Sequence, residues 1–331
     1  METELQDVQD SAQHVYFEQK SGFQIAIPYL LLVVVEILYV CQSILTNRVP
    51  VPPILLAATA APISLLFFYL FTIFAPNGTP NPKFTRKEVL TLAGAGVMYV
   101  FAIQWTIFYG ISLTNVRLVG TMMMGISVFA WIFSIIYKTE SITANVRKTI
   151  GYLVCFAGIG LSAFAQPLKA DNIWGFMSLL ANVMLFGWYL ALQHDITKDG
   201  KISQRWFCFY TYLFGTPLIV LLEFFQPNPW SYKFEYLPTI VYNSVIMSAN
   251  TLLYAYCNAK MKSAAITGLF LLLQPIFSGI FGALFDNMAI NLIFIGGIVF
   301  MSSGMGLSVY EAVREDKDKN NKKNNDKNDA V

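Results

Sequence analysis

Charge is scarce in this sequence: over 331 residues only 13% are Asp, Glu, Lys or Arg, against 56% apolar and 15% aromatic. A soluble domain carries charge on about a quarter of its residues, so a water-soluble globule is excluded and an integral membrane protein is what remains. Long polar stretches are missing as well, apart from residues 1–22 and the segment after Tyr310. No soluble domain fits between them. The first 22 residues contain acids and no apolar core, so no cleavable signal peptide is expected and the first apolar run serves as its own insertion signal. Cysteine is rare: Cys41, Cys155, Cys208 and Cys257 fall in apolar runs without a C-x-x-C pair or metal-ligand spacing. They are expected to be small packing residues, and neither a metal nor a cofactor is expected. The net charge of +2 leaves no footprint for nucleic acid.

What is present is apolar runs of about 20 residues, the length that crosses a bilayer as a helix. There are ten: Phe23–Ile44, Pro52–Phe74, Val89–Ser112, Val116–Tyr137, Thr149–Ala165, Ile173–Leu192, Trp206–Phe225, Tyr236–Ala259, Ser263–Phe285 and Ile290–Tyr310. The basic residues alternate between their connections. Lys20, the loops holding Lys83, Arg86, Lys87, then Lys138, Arg147, Lys148, then Lys198, Lys201, Arg205, then Lys260, Lys262, and the carboxyl tail all lie on one side. The other side has Arg48, Arg117, Lys169 and Lys233. The cytoplasmic side carries the Lys/Arg excess, so both termini are expected in the cytosol, which demands an even number of spans. Asn77-Gly78-Thr79 matches a glycosylation sequon but is followed by Pro80 on the basic side, and is expected to be unmodified. The tail 311–331 is low-complexity and expected to be disordered.

The chain repeats itself. Gly151, Gly158, Gly160, Leu161 and Ser162 recur at one spacing as Gly297, Gly304, Gly306, Leu307 and Ser308, and Tyr109 pairs with Tyr256 at nearly the same offset. Each copy then holds five spans, residues 23–166 and 167–310, and an odd number forces the second copy into the membrane upside down. Loop charge agrees: each loop type is basic in the copy that turns it to the cytosol.

These features resemble the drug/metabolite transporter superfamily: two five-span halves, the pattern Tyr109 … Thr139-Glu140-Ser141-Ile142-Thr143 … Gly151, and Leu273-Gln274-Pro275-Ile276-Phe277 … Gly297. The stretch Tyr256-Cys257-Asn258-Ala259-Lys260-Met261-Lys262-Ser263-Ala264 is most similar to the EamA-type and solute carrier 35-like members. The resemblance covers residues 23 to 310. It implies a cavity between helices one to four and six to nine, with helices five and ten peripheral and at a homodimer contact. Two departures stand out: Ser127-Val128 occupies the place of Gln274-Pro275, and Thr139 precedes Glu140 where Gly is usual. The fourth helix is therefore expected to bend less than the ninth.

Ionisable and amide side chains inside hydrocarbon need a partner, water or a function. Glu36 lies mid-run among Val33, Val34, Val35, Ile37 and Leu38. Burial favours the neutral acid, which suits either a proton-coupled step or a fixed hydrogen bond to a neighbouring helix. Asn243, Asn250 and Asn258, with Tyr254 between them, crowd one side of helix eight; they either line a cavity or glue helices together. Gln104 beside Trp105, Asn182 with Tyr189, and Gln274 beside Pro275 complete the candidate set for solute binding or coupling. Lys260 stands at the junction of helices eight and nine, as a topology marker or a contact for an anion.

The expected protein is thus an all-α, ten-span carrier of a small polar metabolite, built from two inverted repeats and working by alternating access. A nucleotide-sugar or phosphorylated-metabolite antiporter is the alternative, disfavoured because no Lys or Arg lies deep in a span. A non-transporting scaffold or receptor is the second. An enzyme is not expected, because only His194-Asp195 brings such groups together.

Overall fold

The computed structural model describes residues 22–49, 51–74, 84–113, 119, 122–140, 146–164, 173–198, 202–261, 263–286 and 292–328. Asn77-Gly78-Thr79, Arg117 and Lys169 lie outside them. The described residues form ten helices, two of which contain π-helical turns and two of which are interrupted.

Helix α1 is Gly22–Arg48 and α2 is Pro53–Phe74, which opens on a proline whose missing N–H costs nothing at a first helical position. α3 begins at Arg86 behind a capping box, with Thr85 and Glu88 satisfying each other's backbone N–H. It runs as Arg86–Gly96, a π segment Val97–Ile103, and Gln104–Leu113. α4 is Gly125–Ile136, α5 Val146–Phe164, α6 Ile173–Thr197 and α7 Gln204–Phe224. α8 comprises Leu237–Val241, a π segment Tyr242–Ile246 and Met247–Lys260. α9 is Ala264–Phe270 and Leu273–Asp286, and α10 is Leu292–Asn328.

Among the described residues, six helices are long and apolar enough to cross a membrane: α1, α2, α3, α6, α7 and α10. Their outward faces are greasy, as at Leu66, Phe74, Ile293 and Val299. Water does not tolerate an apolar surface so extended; hydrocarbon does.

Close packing fixes the layout. α5 and α10 lie along one another, and α2 lies along α7. A Cβ on Gly158 would sit 2.7 Å from the Gly297 carbonyl oxygen, and one on Gly304 would strike the backbone of Gly151. Gly160 and Gly306 face open space, so the helix-packing role of the glycine pattern is confined to its other members. Gly96 of α3 and Gly215 of α7 bring their backbones together in the same way, a contact that the repeat pattern does not signal.

Three sequence expectations need correction or refinement. α10 does not end at Tyr310: it continues as a helix to Asn328, where an unstructured tail was expected. Glu311 anchors this extension, being nearly buried between Arg147 and Arg314, and 37 residues give about 55 Å at 1.5 Å each, well beyond a bilayer core. The fourth helix is interrupted at Met124 despite lacking a proline, much as the ninth is at Leu271 and Leu272. The two breaks meet: Ser127 Oγ donates to the Gly268 carbonyl at 2.7 Å, where the small face of Gly268 against Ser127 and Ala130 lets α4 and α9 approach, while Gly125 faces Val183 of α6. Finally, the π turns in α3 and α8 were not foreseen, since apolar sequence hides a one-residue insertion.

Candidate functional site

A cavity of about 180 Å³ opens among eight helices, α1 to α4 and α6 to α9, and neither α5 nor α10 reaches it. It is offset toward one end of the bundle. Its residues come from the last third of α1 (Tyr39, Gln42, Thr46), the first half of α2 (Leu56 to Ser64), the second half of α3 (Tyr99 to Phe108) and the first half of α8 (Asn243, Met247, Thr251). The irregular turns supply much of the wall: Tyr99, Val100 and Ile103 belong to the first π segment and Asn243 to the second. Such turns recur at functional sites because they re-aim side chains and loosen backbone bonds.

Five carboxamides line the space: Gln42, Gln104, Asn182, Asn243 and Gln274. Gln42 Nε2 donates to Asn243 Oδ1, and Asn243 Nδ2 to the Thr239 carbonyl at 2.8 Å. Asn182 Nδ2 donates to the Ile103 carbonyl at 2.7 Å and to Thr106 Oγ1 at 3.1 Å, tying α6 to the π turn of α3. Gln274 Nε2 donates to Glu36 Oε2 at 2.8 Å. Glu36 itself is fully buried behind the wall, its Oε1 without a partner among the described residues. Among the described lining residues there is no Asp, Glu, Lys, Arg or His.

The other expected site residues take different places. Trp105 points outward, stacked on Phe101, because a step of one residue turns a helix by about 100° away from Gln104. Asn250 Nδ2 reaches the Val35 carbonyl at 3.3 Å, and Asn258 Nδ2 reaches the Leu190 carbonyl and Gln193 Oε1, each at 3.0 Å. These two asparagines join helices, so within the trio only Asn243 lines the cavity. Tyr254 meets Tyr39 edge-on behind the wall. Tyr189 stacks flat on Tyr99 with centroids 4.3 Å apart, and so holds a cavity residue in place. Lys260 is exposed at the far end, over the Tyr256 ring at 5.9 Å. Sequence reading missed Gln42, Thr251, Tyr39, Tyr99 and Tyr212; a polar amide six residues after Glu36 was the available signal for Gln42.

No family model matches this chain. A solved crystal structure is similar over 87% of this chain and 97% of its own, with a TM-score of 0.65 and 15% sequence identity. The fold is therefore one already seen. At that identity the likeness concerns the fold alone.

The bundle is closed at the end opposite the cavity. His194 Nδ1 lies 2.7 Å from the Asn258 carbonyl, Gln193 contacts Tyr189 and Asn258, and α6 packs on α8 and α9. Beside this, Lys148 donates to Glu140 Oε1 at 2.5 Å, and Ser263 bonds the same oxygen, joining the starts of α5 and α9 to the end of α4. Asp195 pairs instead with Lys198 at 2.6 Å, so His194 and Asp195 bond different partners.

Proposed function

We propose that this chain is a secondary transporter of the drug/metabolite transporter type, most like its EamA and solute carrier 35-like members, moving a small polar metabolite by alternating access. The observation that carries the reading is the uncharged, amide-lined cavity between α1–α4 and α6–α9, with one buried acid hydrogen-bonded to its wall through Gln274. A wet pocket inside a greasy bundle is what a carrier requires and a packed scaffold does not.

The helix contacts support two inverted five-helix repeats. Exchanging each helix for the one five places along the chain turns α3–α6 into α8–α1, α4–α6 into α9–α1 and α3–α7 into α8–α2, all of which are contacts. α2–α7, α4–α9 and α5–α10 exchange into themselves. The π turns of α3 and α8 and the breaks near Met124 and Leu271 fall at matching places. The symmetry fails in one respect: α6 packs on α8 and α9, while the cavity parts α1 from α3 and α4. With both termini in the cytosol, this is a carrier open to the non-cytosolic side and sealed at the cytosolic one.

A cavity of about 180 Å³ is below the roughly 300 Å³ at which drug-sized pockets begin, which weighs against a nucleotide sugar. The test is uptake into proteoliposomes across a panel of nucleotide sugars, amino acids, nucleobases and amines, with and without a pH gradient. Saturable uptake of one class supports the reading; a bundle that moves none of them is not a carrier.

A further inference from the structure

The lining chemistry narrows the solute. We propose that the cavity takes a neutral, planar ring whose edge carries N–H donors beside a carbonyl, the chemistry of a nucleobase; this rests on the carrier reading.

The first constraint is charge. A charged group in a pocket lined by amides and apolar groups needs an opposite charge or a full set of hydrogen bonds, and the described lining residues include no Asp, Glu, Lys, Arg or His. The nearest acid, Glu36, already receives Gln274 Nε2 and stands behind the wall. A cation, an anion or a zwitterion would each leave a charge uncompensated.

The second is the direction of the hydrogen bonds. Gln42, Asn243 and Gln274 each direct one N–H at a protein acceptor, and Asn182 directs both. On these lining residues the carbonyl oxygens of Gln42, Asn182 and Gln274 accept no hydrogen bond from the described residues, and the whole amide of Gln104 is likewise unbonded among them. The wall therefore offers unengaged acceptor oxygens on three amides, beside the Gln104 amide and the Tyr39, Tyr99, Tyr212 and Thr46 hydroxyls, which accept and donate. Its complement is a solute with at least two N–H donors and one carbonyl. A cyclic imide or lactam has both on one edge.

The third is shape. Tyr39, Tyr99, Phe108, Phe186 and Tyr212 share the cavity wall, and Tyr99 is held flat against Tyr189 with ring planes 16° apart. Flat aromatic faces favour a flat partner. The cavity, about 180 Å³, has room for a single base.

The experiment uses the full-length protein in proteoliposomes, with equilibrium binding and exchange of radiolabelled uracil and hypoxanthine set beside 1,3-dimethyluracil, alanine, choline and uridine monophosphate. The expected result is saturable binding and exchange of a base. Dimethyluracil, which keeps the ring and carbonyls but lacks N–H, binds at least tenfold more weakly. Gln104→Leu weakens base binding at least tenfold and Gln104→Asn less, and because Gln104 bonds no described residue these variants keep the wild-type unfolding temperature. Exchange of alanine, choline or the nucleotide without any base overturns this inference and leaves the carrier reading standing. Equal binding of uracil and dimethyluracil overturns the donor-edge argument. Neither binding nor exchange of any solute overturns both.

Discussion

Gln274 Nε2 donates to Glu36 Oε2 at 2.8 Å, joining α9 to α1 across 238 positions of sequence and linking the cavity wall to a fully buried carboxyl. Gln274 lines the cavity and bonds the acid. A change in the protonation of Glu36 therefore alters a group that lines the solute space, which is the minimum physical requirement for coupling the two.

Glu36→Gln keeps the shape and the partner of this residue while removing its titration. The expected outcome, measured in proteoliposomes, is loss of accumulation driven by a pH gradient, with exchange of solute at equal pH retained. Gln274→Leu has a different effect. It leaves Glu36 Oε2 without its donor beside an Oε1 already lacking one, and is expected to lower stability by about 1–3 kcal/mol, seen as a lower unfolding temperature in detergent.

The Glu140–Lys148 pair is nearly dry, with side chains 8% and 4% exposed. Lys148→Met strands the carboxylate among α4, α5 and α9, at a cost of about 3–5 kcal/mol. Combining it with Glu140→Gln removes the stranded charge and is expected to recover much of that loss, as a double-mutant cycle on thermal unfolding will measure.

The α5–α10 contact separates two kinds of glycine. Gly304→Leu drives a side chain into the Gly151 backbone and is expected to cost about 1–3 kcal/mol or to part the helices. Gly306→Leu, two residues on, meets nothing within 4 Å and is expected to leave the unfolding temperature unchanged. Equal effects would mean that the helices do not meet through Gly304.

Much of this was legible in the sequence, because a bilayer imposes a length and a polarity that ordinary composition reveals. The ten apolar runs correspond to the ten helices, and Asn182, Asn243, Gln104 and Gln274 stood out as amides in greasy surroundings and do meet at one cavity. Which amides merely join helices was not legible: Asn250 and Asn258 have the same residue type and spacing as Asn243, and only the π turn at Tyr242–Ile246 and the placement of α1 and α6 distinguish them. Tyr99 and Tyr212 were lost among 17 tyrosines. Trp105 was misplaced because adjacency in sequence was taken for adjacency in space. The break at Met124 had no proline to announce it, and it lies one turn before Ser127, which bonds Gly268 more than a hundred residues away.

The central claim is that one cavity opens to the two sides of the membrane in turn, and side-specific cysteine accessibility tests it most directly. In a parent lacking its four cysteines, Thr46→Cys lies at the cavity and Gln193→Cys lies buried in the closed end. An impermeant maleimide is expected to label position 46 only from the non-cytosolic side and position 193 only from the cytosol, with a transported solute raising one rate as it lowers the other. Labelling of either position from the wrong side, or rates that the solute does not move in opposite directions, would contradict the account.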